Sequence, residues 1–316
     1  MKKVACVGIL VADTIVTPVT SYPDKGQLVG VDSICVRNGG NAMTASLNLS
    51  TLGVESGIFG MVGKDLYGSY LTDILRDKGV DVRGLCTDES VGTSASVLMV
   101  DEKGQRSFFH TRGTNAVFTE KDISYSVIDD YDMVFVTGTF LMDRFDGVPT
   151  ARFLKNCKEK GKTTFLDVCW DATDRWGLLL EDCLPYLDFF MPSIDEARCI
   201  ARKDDLDEMA QVFMDKGAKN VIIKCGNKGS YMRLQSWEKG KLYPCYDMGK
   251  VVDTTGAGDS FCSGFLAATA KGWAPEQAME FANAVGGLCC TQIGATQGIV
   301  SFEKTLDKMR ELGFIQ

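Results

Sequence analysis

Short, uninterrupted apolar runs recur along this chain, separated by stretches of helical spacing, and that alternation does most to limit the folds open to it. Val4 to Val11 is the first run. It lacks the polar alternation of a half-exposed strand, so it reads as one covered on both faces. Ala42 to Leu52 follows as a helix entered through Asn38-Gly39-Gly40, then Ile58 to Val62 as a strand and Leu66 to Lys78 as a helix closed by Gly79. After Asp122 the order resumes, with strands near Met133 to Val136, Thr163 to Val168, Phe189 to Met191 and Val221 to Lys224. Helices are predicted near Val148 to Lys160 and Leu206 to Lys216, short strands at Met232 and Leu242 to Cys245, and mostly helix from Ala257. Such repeats predict a parallel sheet with crossover helices.

Two stretches interrupt this order. Val16 to Arg37 and Val91 to Arg112 hold short alternating segments, among them Ser94-Ala95-Ser96-Val97-Leu98 and Arg106-Ser107-Phe108-Phe109, without a convincing helix. They predict antiparallel strands forming a small second sheet that projects as a lid. The expected division is an α/β core of residues 1–15, 38–90 and 113–316, and a β lid of residues 16–37 and 91–112. Such a lid exposes an apolar face and free edges, which favours cover by a second copy of the chain.

Composition narrows the partners. The 316 residues are 45% hydrophobic with 7 prolines, the balance of an ordinary globular chain. A formal charge of −8 argues against nucleic acid, because no basic stripe can offset phosphate repulsion over a broad face. Small anions stay open, since backbone amides hold phosphate without basic side chains. No apolar run reaches the ~18 residues of a membrane helix, and MKKVACVGILVAD lacks the long apolar stretch and cleavage site of a signal peptide. Of the 12 cysteines, Cys6, Cys157, Cys169, Cys225 and Cys262 each sit in or beside an apolar run, which fits reduced thiols and a cytoplasmic setting. Adjacent Cys289 and Cys290 and the lone His110 offer no zinc spacing.

The stretch VDTTGAGDSF, residues 252–261, precedes an apolar helical stripe of Phe261, Cys262, Phe265 and Leu266. Amides of Gly256, Ala257 and Gly258 at that helix start would point together unpaired, the geometry that holds a phosphate. Alternatively, Asp253 or Thr255 caps the helix and the glycines only shape the turn. Asp259 shifts the balance, because a carboxylate where an anion is favoured makes sense if its role is chemical. Phosphoryl transfer to an alcohol needs a terminal phosphate held in line, a place for developing charge and a base for the hydroxyl proton. The helix start would favour the charged form of Asp259 and make it a weak base.

This pattern resembles the ribokinase-like (PfkB) carbohydrate kinases, whose second signature looks like Asp253-Thr254-Thr255-Gly256-Ala257-Gly258-Asp259. The resemblance covers essentially the whole chain through Gly8 to Asp13, Gly39-Gly40, Val62 to Gly68, Gly113-Thr114-Asn115, Pro192 to Glu196, Lys224 to Gly229 and Asn283. Each motif is weak alone; their order and spacing together are specific. The resemblance implies a ribokinase-like three-layer fold with a central, mostly parallel sheet and a small antiparallel β lid, ATP and magnesium as cofactors, and dimers formed through the lids. It makes Asp259 the catalytic base and Gly256, Ala257 and Gly258 the anion hole. Asp13 would grip sugar hydroxyls, with Gly39, Gly40 and Thr44 on the substrate side. Lys224, Gly226, Gly229, Thr255 and Asn283 would lie on the nucleotide side. Glu196, which alone reads as a surface helix residue, would order magnesium through water. Asp253 and the Thr255 carbonyl would ligate a monovalent cation such as potassium.

Several positions depart from the family pattern. Val11 and Thr44 stand where many members have asparagine, and Ser193 replaces the asparagine before Glu196. Asp171 stands where an arginine is common, which removes a phosphate contact and adds repulsion. Trp170 reads equally as a packed aromatic or a pocket wall. Gly161-Lys162-Thr163 imitates a phosphate loop but precedes its strand, so Lys162 reads as a solvated turn residue. Arg37, Arg106, His110 and Arg112 fall on or near the lid, where edge-strand solubility accounts for them as well as a substrate anion does.

The reading that follows is an ATP-dependent kinase acting on a hydroxyl, a primary one, of a small neutral sugar or nucleoside. Sugar-phosphate or keto-deoxy sugar acid substrates are the alternative within the family. A catalytically silent sugar-binding protein is disfavoured by the intact Asp259 and glycine pair. A dinucleotide oxidoreductase is disfavoured because Gly8-Ile9-Leu10-Val11-Ala12-Asp13 offers one glycine where G-x-G-x-x-G is required.

Overall fold

A computed structural model describes residues 1–103 and 105–315. In chain order the strands are β1 (Val4–Gly8), β2 (Val11–Thr17), β3 (Ser33–Gly39), β4 (Ser56–Gly63), β5 (Asp81–Asp88), β6 (Ala95–Val100), β7 (Arg106–Thr111), β8 (Met133–Thr139), β9 (Thr163–Val168), β10 (Phe189–Phe190), β11 (Asn220–Lys224), β12 (Ser230–Arg233) and β13 (Lys241–Tyr243). The helices are α1 (Asn41–Thr51), α2 (Leu66–Asp77), α3 (Thr114–Val117), α4 (Tyr125–Ile128), α5 (Val148–Glu159), α6 (Ile194–Ala201), α7 (Leu206–Asp215), α8 (Ala257–Ala270), α9 (Pro275–Cys289) and α10 (Phe302–Glu311).

The large sheet runs β13-β12-β11-β10-β9-β8-β1-β4-β5. Its strands pair in parallel from β11 to β5, and β12 and β13 are antiparallel at one edge. Burial on both faces of β1 shows why helices must cover both. Val4 and Cys6 join an apolar cluster with α1, α2, α8, α9 and α10, whereas Ala5 and Val7 join another with α5, α6 and α7. Three layers result. Edge strand β5 was not evident from the apolar pattern, because Gly84 interrupts it and few of its side chains are fully buried.

The first apolar run is not one strand. Gly8 adopts φ 153°, and a Cβ there would stand 1.8 Å from the Thr137 carbonyl oxygen, so the chain turns out of the large sheet at this residue. It crosses Ile9 and Leu10 and enters β2, which belongs to the small sheet. The division drawn at residue 15 therefore falls inside a strand, and Asp13 sits on the lid rather than at the end of a core strand. The pattern concealed the break because Ile9 to Ala12 are buried at the junction. Asn115 pins it: its Nδ2 donates to the Leu10 carbonyl at 2.9 Å and its Oδ1 accepts from the Leu10 N–H at 3.3 Å.

The small sheet has the order β3-β2-β6-β7. Its hairpins β2–β3 and β6–β7 are antiparallel as expected, but β2 and β6 pair in parallel at the centre. Arg37, Asp13, Ser96 and His110 lie in register across the four strands and so share one face. Ile34, Val97 and Phe109 are exposed on the other. Helix α2 anchors the sheet, with Tyr67 Oη 2.8 Å from Thr14 Oγ1 and Tyr70 Oη donating to the Val36 carbonyl at 3.1 Å. Among the described residues all the cysteines are free thiols, and no helix is long and apolar enough to cross a membrane. Lys162, expected in solvent, is buried and donates to the Tyr131 carbonyl at 2.6 Å. Its aliphatic stem can lie in the interior because carbonyl oxygens meet the charge.

Candidate active site

The carboxyl ends of the parallel strands gather the charged groups, as open α/β sheets require of a ligand crevice. Asp167 near the end of β9 and Lys224 at the end of β11 form an ion pair of 2.6 Å, with side chains 2% and 12% exposed. The Lys224 backbone N–H donates to the Pro192 carbonyl at 2.9 Å, which seats the start of α6 beside it. There Ser193 and Glu196 form a reciprocal cap, with the Ser193 N–H donating to Glu196 Oε2 at 2.7 Å. Glu196 is thus half-buried and facing the cluster, not on the open surface. Burial works against the Lys224 charge, but Asp167 and Glu196 outweigh it and hold the ammonium above the ordinary lysine range.

Helix α8 begins without a side-chain cap. Gly256 takes φ 75° as the residue before it, and a Cβ there would stand 2.3 Å from that of Ala295. Asp253 serves its own turn: Oδ1 accepts from the Thr255 N–H at 3.0 Å and from Thr255 Oγ1 at 2.7 Å, and Oδ2 accepts from the Gly294 N–H at 3.0 Å. Neither residue caps the helix. The Ala257 N–H turns back to the Thr254 carbonyl at 3.2 Å, which removes it from the expected anion hole. No acceptor among the described residues meets the N–H groups of Gly256, Gly258 and Asp259. Gly258 faces Lys224, whose Cε would lie 3.7 Å from an added Cβ.

Asp259 stands in the first turn of α8. Its Oδ1 accepts from Asn41 Nδ2 at 2.7 Å, and Cys169 Sγ donates to Asn41 Oδ1 at 3.1 Å. Burial pushes the Asp259 carboxyl above its ordinary range, Lys224 and Asn41 pull it down, and Glu196 pushes it up again. Burial thus works against the weak base expected from the helix start. Sequence reasoning missed Asn41 and Cys169. The signal for Asn41 was its place directly after Gly39-Gly40, where a helix start would carry it to the strand ends.

On the lid side, the Asp13 carboxylate lies over Gly39, where an added Cβ would stand 2.2 Å from Oδ2. Burial pushes this carboxyl up, opposed by the Ser96 hydroxyl. Gly40, at φ 89°, opens α1 against the Ile9 carbonyl. Thr44 is 1% exposed inside α1. Trp170 is exposed and stands edge-on to Trp176, 5.1 Å between ring centres, so it is not a packed core residue. Asp171 does not face a ligand: it accepts from the Thr173 N–H at 2.9 Å and the Arg175 N–H at 2.5 Å within its own turn.

On the nucleotide side, Gly226 lies in an open turn, and Gly229 packs its α-carbon against the Tyr243 carbonyl as β12 begins. Asn283 is engaged inside the protein, accepting from Ser230 Oγ at 2.9 Å and donating to the Pro244 carbonyl at 3.0 Å. Asp253 and Thr255, expected to ligate a monovalent cation, are crowded by donors. Besides the turn contacts, Arg106 Nη1 lies 2.5 Å from Thr255 Oγ1 and 3.7 Å from Asp253 Oδ1, and Cys289 Sγ donates to the Thr255 carbonyl at 3.3 Å. A monovalent cation held there would share these oxygens with the donors already on them. Of the lid arginines, Arg106 is tied to that turn and Arg112 to Asp143. Arg37 makes a 3.2 Å contact to the Val36 carbonyl and has no acidic partner among the described residues.

The two glycines of α8 separate structure from chemistry. Gly256→Ala is expected to destabilise the fold by at least ~2 kcal/mol through positive φ and overlap with Ala295. Gly258→Ala keeps helical φ and ordinary contacts, so its unfolding midpoint should hold or rise slightly, while its methyl group obstructs the open amides and lowers turnover at least tenfold. Denaturant unfolding paired with a turnover assay checks both, and normal turnover in Gly258→Ala would contradict the assignment.

The description "pfkB family carbohydrate kinase" matches residues 1–301. The chain is 27% identical over 272 residues to a probable fructokinase-5 of Arabidopsis thaliana, covering 81% of this chain and 83% of that one. It is 29% identical over 278 residues to an ATP-dependent ribose-1-phosphate kinase of Halopiger xanaduensis, covering 88% of each. Its fold matches the structure of Arabidopsis thaliana ribokinase complexed with ribose and ATP, with a TM-score of 0.85 at 22% identity over 99% of both chains. The strand order, the uncapped glycine turn and a family match over nearly the full length agree: the chain belongs to the pfkB family of carbohydrate kinases.

Proposed function

We propose that this chain transfers the terminal phosphoryl group of ATP to a hydroxyl, a primary one, of a small neutral sugar or nucleoside. Asp259 carries the reading. One carboxylate oxygen is held by Asn41 at 2.7 Å, and the other meets no donor among the described residues, at the start of a helix whose amides are open. The alcohol gives its proton to that free oxygen as its own oxygen bonds to phosphorus, and the bond from phosphorus to the bridging oxygen breaks in line. Charge developing on the phosphoryl oxygens meets the Gly258 and Asp259 amides and Lys224. A raised proton affinity suits Asp259 to this role, because a base closer to the operating pH transfers protons more effectively. Asp13 would accept hydrogen bonds from the other hydroxyls of the substrate.

Glu196 fits a magnesium ion held through water: the Ser193 N–H engages Oε2, and no donor meets Oε1 among the described residues. Among the described residues no group of three or more His, Cys, Asp or Glu side chains could by itself hold a metal ion, so phosphate oxygens and water would complete such a shell. A magnesium ion supplies neutralisation of phosphate charge. The Asp259→Asn variant should lower kcat by ~10²–10⁴ while nucleotide binding persists. Turnover near that of the parent would remove Asp259 from the role.

The second reading is a phosphorylated sugar. Arg37 favours it, since it lacks an acidic partner and lies in register with Asp13, and one relative is named for ribose-1-phosphate. The engagement of Arg106 and Arg112 favours a neutral substrate. Matched neutral and phosphorylated sugars and nucleosides, assayed with ATP and magnesium, should give the larger kcat/KM for the neutral member. A strong preference for the phosphorylated member that collapses in Arg37→Ala would reverse the assignment.

A further inference from the structure

Among the described residues, Asn41 is the side chain in hydrogen-bond contact with the Asp259 carboxylate. Its Nδ2 stands 2.7 Å from Asp259 Oδ1, and its own Oδ1 receives the Cys169 thiol at 3.1 Å. These contacts together fix which way the amide points. Turned end for end, it would set its oxygen against a carboxylate, which is unfavourable, and would exchange the thiol's donated hydrogen bond for a contact in which sulfur is only a weak acceptor. Burial, with Asp259, Asp167 and Glu196 nearby, pushes the Cys169 thiol far above its ordinary range, so it remains a donor. Three elements meet in this chain of bonds: α1 starts at Asn41 directly after the Gly40 turn, Cys169 follows β9, and Asp259 lies in the first turn of α8.

We propose that Asn41 positions the Asp259 carboxylate for proton abstraction and that Cys169 sets the orientation of the Asn41 amide. The inference rests on Asp259 being the base. Holding Oδ1 leaves Oδ2 as the oxygen presented to the alcohol. The donated hydrogen bond also keeps the carboxylate ionised against burial and Glu196 of α6. The other charged groups around it are Lys224 of β11, which acts in the same direction, and Asp167 of β9, which is paired with that lysine. Cys262 of α8 is a neutral neighbour of this pair, with its thiol pushed far up by burial. Without Asn41, Lys224 and the start of α8 would be left to hold the base ionised.

The test is kcat and KM across pH for the parent, Asn41→Leu, Asn41→Ser, Cys169→Val, Cys169→Ser and Asp259→Asn. Asn41→Leu should lower kcat on the order of ten- to hundredfold, the effect of losing a hydrogen bond to a charged group. Its nucleotide KM should hold, and the acidic limb of kcat should move to higher pH because the ionised base has lost a donor. Asn41→Ser, too short to reach, should do the same if the leucine variant does not fold. Cys169→Val should show a smaller loss in the same direction, and Cys169→Ser, which restores a donor, should recover most of it. A fall in kcat with an unmoved acidic limb in the Asn41 variants would mean a merely structural role and overturn the proposal. So would parental kcat and pH profile in those variants while Asp259→Asn is inactive. Retained turnover in Asp259→Asn would instead remove the base itself, and the proposal with it.

Discussion

The buried ion pair between Lys224 and Asp167 is the constraint on which the rest of the site depends. Asp167, Glu196 and Asp259 gather at the carboxyl ends of the strands, around one lysine. Carboxylates collected in a desolvated place repel one another and would protonate without a countercharge. Lys224 supplies it, and its backbone also draws in the start of α6 through the Pro192 carbonyl. An incoming phosphate adds further negative charge, so the same ammonium must serve both the folded protein and the ligand. That double demand explains why it lies beneath the open amides of α8, where the added field of the helix start shares the load.

The lid connects the two halves of this arrangement. Asp13 and Arg106 lie on the same face of the small sheet, and Arg106 reaches the Asp253–Thr255 turn in front of α8. The sheet thereby spans from Asp13, the carboxylate proposed to accept substrate hydroxyls, to the turn before α8. Its first junction with the core lies at Gly8 to Leu10, where Asn115 clamps the backbone. Tyr67 and Tyr70 of α2 give it a second support. The proposed neutral substrate draws its support from these attachments, since Arg106 and Arg112, engaged with Thr255 and Asp143, are not free to hold a substrate phosphate.

Most strands and long helices were legible because their burial is two-sided and their apolar runs are correspondingly pure. The break at Gly8 was not, since residues on both sides of it are equally buried and hydrophobicity carries no sign of which sheet a strand joins. The helix start at Gly256 to Asp259 was legible because the glycines directly precede an apolar stripe at helical spacing. Asn41 was not, because its role exists only where α1 and α8 meet, 218 residues apart in the chain. Asp171 misled for a related reason: its identity suggested a charge facing the ligand, yet local N–H groups fold it into its own turn. The proton affinity of Asp259 also depended on burial, which a local reading of the helix start does not include.

The measurement that bears most directly on the central role of Lys224 is a cycle of Lys224→Met, Asp167→Leu and the double variant, read by denaturant unfolding and by turnover. Loss of one partner of a buried pair leaves an uncompensated charge, so Lys224→Met should be less stable by about 3–5 kcal/mol. The double variant should recover much of that stability while phosphoryl transfer stays lost. A Lys224→Met protein as stable and as active as the parent would contradict the dependence of the site on this lysine.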